Sequence, residues 1–402
     1  MEASPKDIIL DVVDLSPENL LNATSRSMVI QQLLDCFSNV GFCQIKGIEG
    51  YDSAKLLKWT KFFFYDIPEE DKIKQCGTRA FNPNNSNSYR GYFPVQPGQL
   101  SCKRGLDLGH LLEIPAHLKG IPLVERTPFL KIETREKELD EFYEVMYDHR
   151  HLMHQTADLI MSLLAEAGGE DPSYFETMFS DCPLHTFRPL QYPKRVENIP
   201  RGAYLPDGRS NNFIIHVGFG NYKPPTQTHF QFSVLSTPAH MDSGFLTLLQ
   251  TFHYPGLEIQ VDGIWYAVPP PKTPNTIVVN LGEQMTEMSN GRFKATIHRV
   301  IDIGEDRFSI PFFYEPGCDT NINVKMPKRL LPPGTESSYP TEKEPLPFAA
   351  FLLNKLPIYA EYSSICDHLP DWVRKKYLGH KSITGCWATQ SGIEIDGSKL
   401  EI

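Results

Sequence analysis

His240 and Asp242, separated by Met241, are followed 56 residues after the aspartate by His298 and then by Arg307-Phe308-Ser309. Two imidazoles and one carboxylate on one face of a ferrous ion leave the opposite face open. Open positions are what a catalytic metal needs, because substrate and oxygen must reach it. Arginine offers a planar fork that matches a carboxylate, and the serine adds one hydroxyl donor. The set reads as three ligands for one iron plus a cationic clamp for an organic acid.

Side chains two apart on a strand point the same way. His240 and Asp242 can therefore both face inward at a strand end, with Gly244 relieving crowding beside them. The interval to His298 holds a hairpin and one more strand, which suits a barrel whose later strand returns beside the first. The same alternation lets Arg307 and Ser309 share that interior. A lone His-x-Asp occurs by chance in many chains, and a lone strand histidine is more often a satisfied core residue than a ligand. The ordered set outweighs that plain reading: His-x-Asp, a hairpin with Pro255-Gly256, the Asn290-Gly291 turn, His298, then Arg-x-Ser. A rival set, His151, His154 and Asp158, shares one helix face. It is expected to be a solvated polar face, because nothing nearby supplies a clamp. His149 and His151 diverge on a helix, and His229 and His253 are expected in the core or at the surface.

These residues need a frame, and the hydrophobic pattern supplies one. Ile8 to Leu15 is expected as a first strand, ended by Ser16-Pro17. Val29, Leu33, Leu34 and Phe37 recur at helical spacing, which predicts a helix over Ser25 to Asn39. Gly41 to Ile45 is a short strand. Asp52 or Ser53 can cap a helix carrying Leu56, Leu57, Trp59, Phe63 and Phe64, and Pro68 suits the first turn of the next. Residues 80 to 99 are polar and are expected as a loop containing Tyr89-Arg90-Gly91-Tyr92-Phe93. A long helix, broken once, is expected from Thr134 to Ala167, with Gly168-Gly169 as its stop. From Leu184 the pattern turns to strands. Leu257–Val261 and Ile264–Val268 form a hairpin, because Asp262-Gly263 tolerates the positive φ of such a turn. Thr276 to Asn280 is another strand, and Phe308 to Tyr314 is the last core strand. Proline-rich sequence follows from Pro327, then a helix around Phe348 to Leu356.

A chain of 402 residues can bury a sizeable core without staples. Its 41% hydrophobic and 22% charged content is that of a globular protein rather than a disordered one. A formal net charge of −10 argues against a general nucleic-acid binder, which would carry a basic face. No apolar run reaches about 18 residues, so no membrane helix is expected. Met1 to Asp7 lack an apolar signal region, and Ser398-Lys399-Leu400 is followed by two more residues, so it is not a terminal peroxisomal address. The eight cysteines form no Cys-x-x-Cys pair, which suggests neither zinc nor a disulfide framework. A cytoplasmic monomer is the expectation.

The stretch from His240 to Pro316 resembles the catalytic core of the iron- and 2-oxoglutarate-dependent dioxygenases of the isopenicillin N synthase-like family. The matching pieces run His240-Met241-Asp242-Ser243-Gly244-Phe245-Leu246-Thr247-Leu248-Leu249, Pro255-Gly256-Leu257-Glu258-Ile259 and Val278-Val279-Asn280-Leu281-Gly282-Glu283-Gln284. They continue with Ser289-Asn290-Gly291-Arg292-Phe293-Lys294, His298-Arg299-Val300 and Arg307-Phe308-Ser309. The first strand and the helices ending near Gly41 and carrying Phe62-Phe63 are similar to that family's amino-terminal domain, so the resemblance covers most of residues 8 to 318.

The resemblance implies a mixed α and β fold, a double-stranded β-helix (jelly-roll) core with flanking N-terminal helices. It implies an N-terminal helical and strand region over 1–180, a catalytic jelly roll over 181–320 with an insertion at 194–236, and a C-terminal extension over 321–402. It implies His240, Asp242 and His298 as the Fe(II) ligands. Arg307 and Ser309 would hold the distal carboxylate of 2-oxoglutarate, and Tyr192, in Gln191-Tyr192-Pro193, would also reach it. Leu190 stands where the family often has Asn, so an amide contact there is not implied. The family further implies O2 as cosubstrate, ascorbate as a reductant, decarboxylation of 2-oxoglutarate to succinate, and hydrogen abstraction from an unactivated C–H bond.

Substrate contacts are less specified. Tyr89, Arg90 and Tyr92 lie in a loop that family members often fold over the iron, and Phe313 follows Arg-x-Ser on its strand. A surface role for Arg90 and core packing for Phe313 are the plain alternatives. Lys194 to Ser236 exceeds the family's usual crossing and carries Arg195, Arg201, Arg209 and Lys223. It reads either as a lid for an anionic substrate or as a surface elaboration. The expected partner is a small molecule of specialised metabolism, such as an amino-acid-derived one, with no nucleic acid and no membrane. Hydroxylation is the default outcome, and desaturation or oxidative cyclisation the alternative. A second reading is an oxidase of the same fold that uses no 2-oxoglutarate, as isopenicillin N synthase does, because that enzyme keeps Arg-x-Ser for its substrate's carboxylate. A third is a non-enzymatic binding module on this fold, against which the intact ligand set argues.

Overall fold

Period-two burial sets the architecture. Along Arg307–Tyr314, the residues Phe308, Ile310, Phe312 and Tyr314 are at most 1% exposed and cluster with Met153, Ala157 and Ile160 of the long helix. The alternate residues Arg307, Ser309, Pro311 and Phe313 therefore point to the opposite face of the sheet. The computed structural model describes residues 5–96, 101–179, 182–194, 235–337, 345–362, 365–367 and 369–378. Most of the expected insertion, with Arg195, Arg201, Arg209, Lys223 and His229, lies outside the described residues.

The N-terminal part supplies β1 (Lys6–Asp7), β2 (Val12–Asp14), β3 (Phe42–Lys46), β4 (Gly91–Phe93) and β5 (Arg104–Asp107). There follow β6 (Thr186–Phe187), β7 (Leu190–Tyr192), β8 (Leu235–His240), β9 (Leu246–Gln250) and β10 (Leu257–Val261). The series closes with β11 (Ile264–Val268), β12 (Ile277–Leu281), β13 (His298–Ile301) and β14 (Arg307–Tyr314). One sheet runs β1-β11-β10-β13-β8, and the other runs β2-β3-β12-β9-β14-β7-β5-β4 with β6 also on β14. Facing each other, they make the expected jelly roll with flanking helices. Leu10, Phe42, Leu257, Ile259, Val268 and Val278 pack together between them. Each such side chain removed from water contributes about 1.5–3 kcal/mol.

Several elements stand where the sequence places them. The helix Ala23–Asn39 buries Val29, Leu33, Cys36 and Phe37. Asp52 caps the helix Ser53–Lys61 by accepting the Lys55 N–H at 2.9 Å. Asp262 and Gly263 take φ of 50° and 78°, as a two-residue hairpin turn requires.

Others differ. The expected first strand is split, because the chain crosses between sheets: β1 runs parallel to β11, and β2 runs parallel to β3. Leu10, buried between the two strands, sits where it crosses. The segment expected as a loop holds β4, paired with β5 from Gly91 opposite Asp107 to Phe93 opposite Gly105. The long helix Glu136–Gly168 is unbroken over 33 residues. No proline interrupts it, and Gly169 at φ 80° ends it by donating its N–H to the Ala165 and Glu166 carbonyls. The helix Phe348–Lys355 buries six consecutive residues from Phe348 to Leu353 in the same cluster as the N-terminal helices. N-terminal, catalytic and C-terminal parts thus share one core. Among the described residues, no helix is long and apolar enough to cross a membrane.

Candidate active site

His240 closes β8, His298 opens β13, and the two are direct register partners across the antiparallel pair. Asp242 follows as the chain leaves β8. Its carbonyl accepts the Glu283 N–H at 2.8 Å, which pins the turn. The backbone approach here is so close that a Cβ on Gly282 would lie 2.2 Å from the Gly244 carbonyl oxygen. Gly244 itself is tight, with Glu315 Cγ 3.2 Å from where its Cβ would stand.

Backbone carbonyls orient both imidazoles. Nδ1 of His240 lies 2.9 Å from the Pro238 carbonyl oxygen, and Nδ1 of His298 lies 3.0 Å from that of Thr296. Each Nδ1 therefore carries the proton, and each Nε2 keeps a free lone pair. Both Nε2 atoms lie 3.7 Å from Asp242 Oδ1. The other carboxylate oxygen is occupied: Oδ2 accepts from the Thr247 hydroxyl at 2.6 Å and from the Asn280 amide at 2.8 Å. The three potential ligand atoms lie within 4.8 Å of one another, close enough to hold one metal ion. Phe42 stands edge-on to the His298 ring with centroids 5.6 Å apart.

The electrostatics suit a cation. Burial, reinforced by His298, pushes the His240 pKa down to about 4, so its imidazole is neutral at pH 7. Burial alone would raise the Asp242 carboxyl, but His298, His240, Thr247 and Asn280 outweigh it and hold the group below the usual carboxylate range. A neutral His240 imidazole beside an ionised carboxylate is a protonation state a metal binds.

Arg307 is 1% exposed and directly opposite Tyr192 in the β14–β7 pair, its guanidinium 4.8 Å from that ring's centroid. Its Nε donates to the Pro255 carbonyl at 2.9 Å, and the Ser309 hydroxyl donates to Tyr192 Oη at 3.4 Å. Burial lowers the Arg307 pKa from its ordinary value. Its Nη1 is buried with no hydrogen-bond partner among the described residues. A cationic donor is rarely left so, because an unmet buried charge is costly. An anionic group with oxygen acceptors fits this place, and the adjacent ligand atoms fit a divalent metal.

The remaining expected contacts divide. Phe313 is partly exposed and shares a face with Thr247, whose hydroxyl bonds Asp242: the two pair across antiparallel strands, and paired residues share a face. Core packing is thus not its role. Arg90 is 1% exposed, so it is not a surface residue; its guanidinium bonds the Thr186 hydroxyl and the Leu184 carbonyl. Tyr89 is buried with its ring 5.2 Å from that of Tyr362. Tyr92 is turned into the core, its hydroxyl donating to Glu69 at 2.6 Å and its ring 5.9 Å from Phe63.

The rival helical set is the solvated polar face expected: His151 and Asp158 are exposed and His154 is half-buried. At its inner edge the His154 ring is tilted against that of His185 with centroids 4.7 Å apart, its Nε2 lies 3.4 Å from Asp158, and Asp158 accepts the Tyr314 hydroxyl at 2.5 Å. His149 braces the fold through the Val145 and Asp52 carbonyls, and His253 is exposed beside Tyr254. Sequence reasoning misses Thr247 and Asn280 as site residues, although alternation along β9 and β12 could flag them. Lys103 pairs with Glu361, and Arg188, beside Phe313, bonds Asp107 and Tyr362; no local pattern announces these contacts.

Family comparison agrees with this geometry. The model of the 2OG-Fe(II) oxygenase superfamily matches residues 214–316, and that of the non-haem dioxygenase in morphine synthesis N-terminal domain matches residues 10–126. The chain belongs to the 2OG-Fe(II) oxygenase superfamily. This oxygenase is 27% identical over 332 residues to clavatol oxidase claD of Penicillium crustosum, covering 78% of this chain and 87% of that protein. It is 27% identical over 288 residues to isopenicillin N synthase of a Flavobacterium species, covering 71% and 78%. Its fold is similar to that of a full-length Neurospora crassa protein crystallised in complex with alpha-KG and thymine, at TM-score 0.63 and 21% identity, covering 87% of this chain and 96% of that one. The 2OG-Fe(II) oxygenase is accordingly an oxidoreductase of the class that uses ferrous iron, 2-oxoglutarate and oxygen. The superfamily match begins at residue 214, inside the stretch read as an insertion, so the second half of that stretch is aligned family sequence.

Proposed function

We propose that His240, Asp242 and His298 hold one ferrous ion, that Arg307, Ser309 and Tyr192 hold the distal carboxylate of 2-oxoglutarate, and that the enzyme oxidises an unactivated C–H bond of a small specialised metabolite. One observation carries this reading. The unpartnered, buried Nη1 of Arg307 belongs to the same strand face as Ser309, in the interior onto which the three ligand atoms converge.

When bound, iron and 2-oxoglutarate supply the oxidising chemistry. The chain supplies position. Thr247 and Asn280 hold Asp242 so that Oδ1 faces both histidines. The Arg307 fork fixes the direction of the cosubstrate. Phe313, on the metal-facing side, helps place the carbon to be oxidised, and that placement decides between hydroxylation, desaturation and ring closure. A cytoplasmic monomer completes the proposal, and the eight cysteines without paired spacing support a reducing compartment.

Purified protein given iron(II), 2-oxoglutarate and ascorbate should form succinate in step with oxygen consumption. His240→Ala and Asp242→Ala should abolish it, and turnover retained in either overturns the ligand assignment. An oxidase of the isopenicillin N synthase type would instead bind no 2-oxoglutarate as the wild-type, iron-loaded protein.

A further inference from the structure

We propose that the substrate presents an uncharged, flat aromatic or heteroaromatic group to the metal, selected by a wall that includes Tyr359, Glu361 and Tyr362 of the C-terminal segment. The inference rests on the metal and 2-oxoglutarate assignment above.

The wall is located by the register. Phe313 shares its face with Thr247, whose hydroxyl bonds the Asp242 carboxylate. The Arg188 guanidinium lies 5.2 Å from the Phe313 ring centroid and 5.5 Å from that of Tyr362, so this cation borders the substrate side. It is already neutralised. Asp107 accepts from its Nε at 2.5 Å and its Nη2 at 3.2 Å, and the Tyr362 hydroxyl bonds both partners. Lys103 follows Cys102, whose N–H donates at 3.0 Å to the Ser236 carbonyl in the strand that ends in His240, and it is likewise paired, at 3.5 Å, with Glu361. Their side chains are only 13% and 7% exposed. Tyr359 belongs to the same short segment, its carbonyl accepting the Tyr362 N–H at 3.0 Å.

Each cation of this wall therefore has its own carboxylate. Arg307 differs: no carboxylate lies within ion-pair distance of it among the described residues, and 2-oxoglutarate takes that place. A carboxylate on the substrate would approach Asp107 and Glu361 with neither Arg188 nor Lys103 free to meet it, and like charges brought together in a desolvated site repel. A neutral ring loses nothing there. It can stack on Phe313, whose face favours flat partners, and bond through a tyrosine hydroxyl.

The test uses iron- and 2-oxoglutarate-loaded protein under nitrogen, titrated calorimetrically with benzamide and with benzoate, which match in shape and differ in charge. Benzamide should bind at least about tenfold more tightly. Glu361→Gln releases Lys103 and should move the preference about tenfold toward benzoate. The double variant Lys103→Met/Glu361→Gln removes both charges and should return the preference to benzamide, which separates charge from misfolding. Equal or tighter wild-type binding of benzoate, no binding of either ring, or an unmoved preference in Glu361→Gln overturns the proposal. Binding of 2-oxoglutarate, measured alone, distinguishes the failures. If it binds and the rings show no preference, only the wall is wrong; if it does not bind, the cosubstrate assignment has failed.

Discussion

Asn280 donates its side-chain amide to Asp242 Oδ2 at 2.8 Å, across from the Thr247 hydroxyl at 2.6 Å on the same oxygen. Two donors on one oxygen leave the other alone facing His240 and His298. The carboxylate is thereby pre-set for a metal before any metal arrives, and the cost of ordering it falls on folding rather than on binding.

Removing one of those donors should be felt at the metal. Asn280→Ala leaves Asp242 free to rotate and should weaken iron(II) binding about 10- to 100-fold, as loss of a partner behind a ligand does elsewhere. Titration against a chelator of known affinity measures it. Wild-type affinity in the variant would mean that Thr247 alone orients the carboxylate.

Arg307 should report on the cosubstrate rather than the metal. Arg307→Ala is expected to abolish 2-oxoglutarate binding, while Arg307→Lys keeps the charge and loses the fork, with affinity reduced about 10- to 100-fold. Iron binding should persist in both. A lysine variant that binds 2-oxoglutarate normally would argue against bidentate capture.

Phe42 links the N-terminal part to the site. It is 1% exposed, packs with Ile259 and Val278, and stands edge-on to His298. Phe42→Ala should cost about 3–5 kcal/mol of stability. Chemical denaturation of the iron-free protein gives the value, and a loss below about 1 kcal/mol would show that the cavity collapses.

Glu125 should make stability fall with rising pH. Its carboxylate accepts the Ser88 N–H at 2.7 Å and the Tyr89 N–H at 3.4 Å, and burial pushes its pKa up to about 7 from an ordinary value of 4.5. The folded state thus holds this proton more tightly than the unfolded chain does. Stability from this group is full below the unfolded pKa and is lost as pH rises through the folded one. Glu125→Gln keeps an acceptor and cannot titrate, so the drop in stability between about pH 5 and about pH 8 should shrink by about 1–3 kcal/mol. Urea midpoints at the two pH values check it, and an unchanged slope assigns the pH dependence to other groups.

Much of this protein is written locally. The helix Ala23–Asn39, the Asp262-Gly263 hairpin and the period-two strand Arg307–Tyr314 follow from spacing and turn chemistry that any short window contains. The ligand set is readable for a related reason: few residue types bind a ferrous ion or grip a carboxylate, and strand alternation decides which can face inward together. Alternation could not say that β1 and β2 join different sheets, because β2 pairs with the next strand, β3, while β1 pairs with the distant β11, Lys6 opposite Tyr266.

The tertiary structure decided what surrounds the ligands. Asn280 reaches Asp242 from 38 residues away, and the Tyr362 hydroxyl reaches Asp107 across 255. Nothing near Lys103 or Arg188 in the sequence reveals that Glu361 and Asp107 neutralise them. Such pairings depend on strand register and on the C-terminal segment packing into the common core. Both are set by the summed burial of side chains from every part of the chain, against the entropy of closing long loops. Local sequence therefore determines what chemistry this site can do. Only the assembled core determines which charges remain free within it, and so what the site can admit.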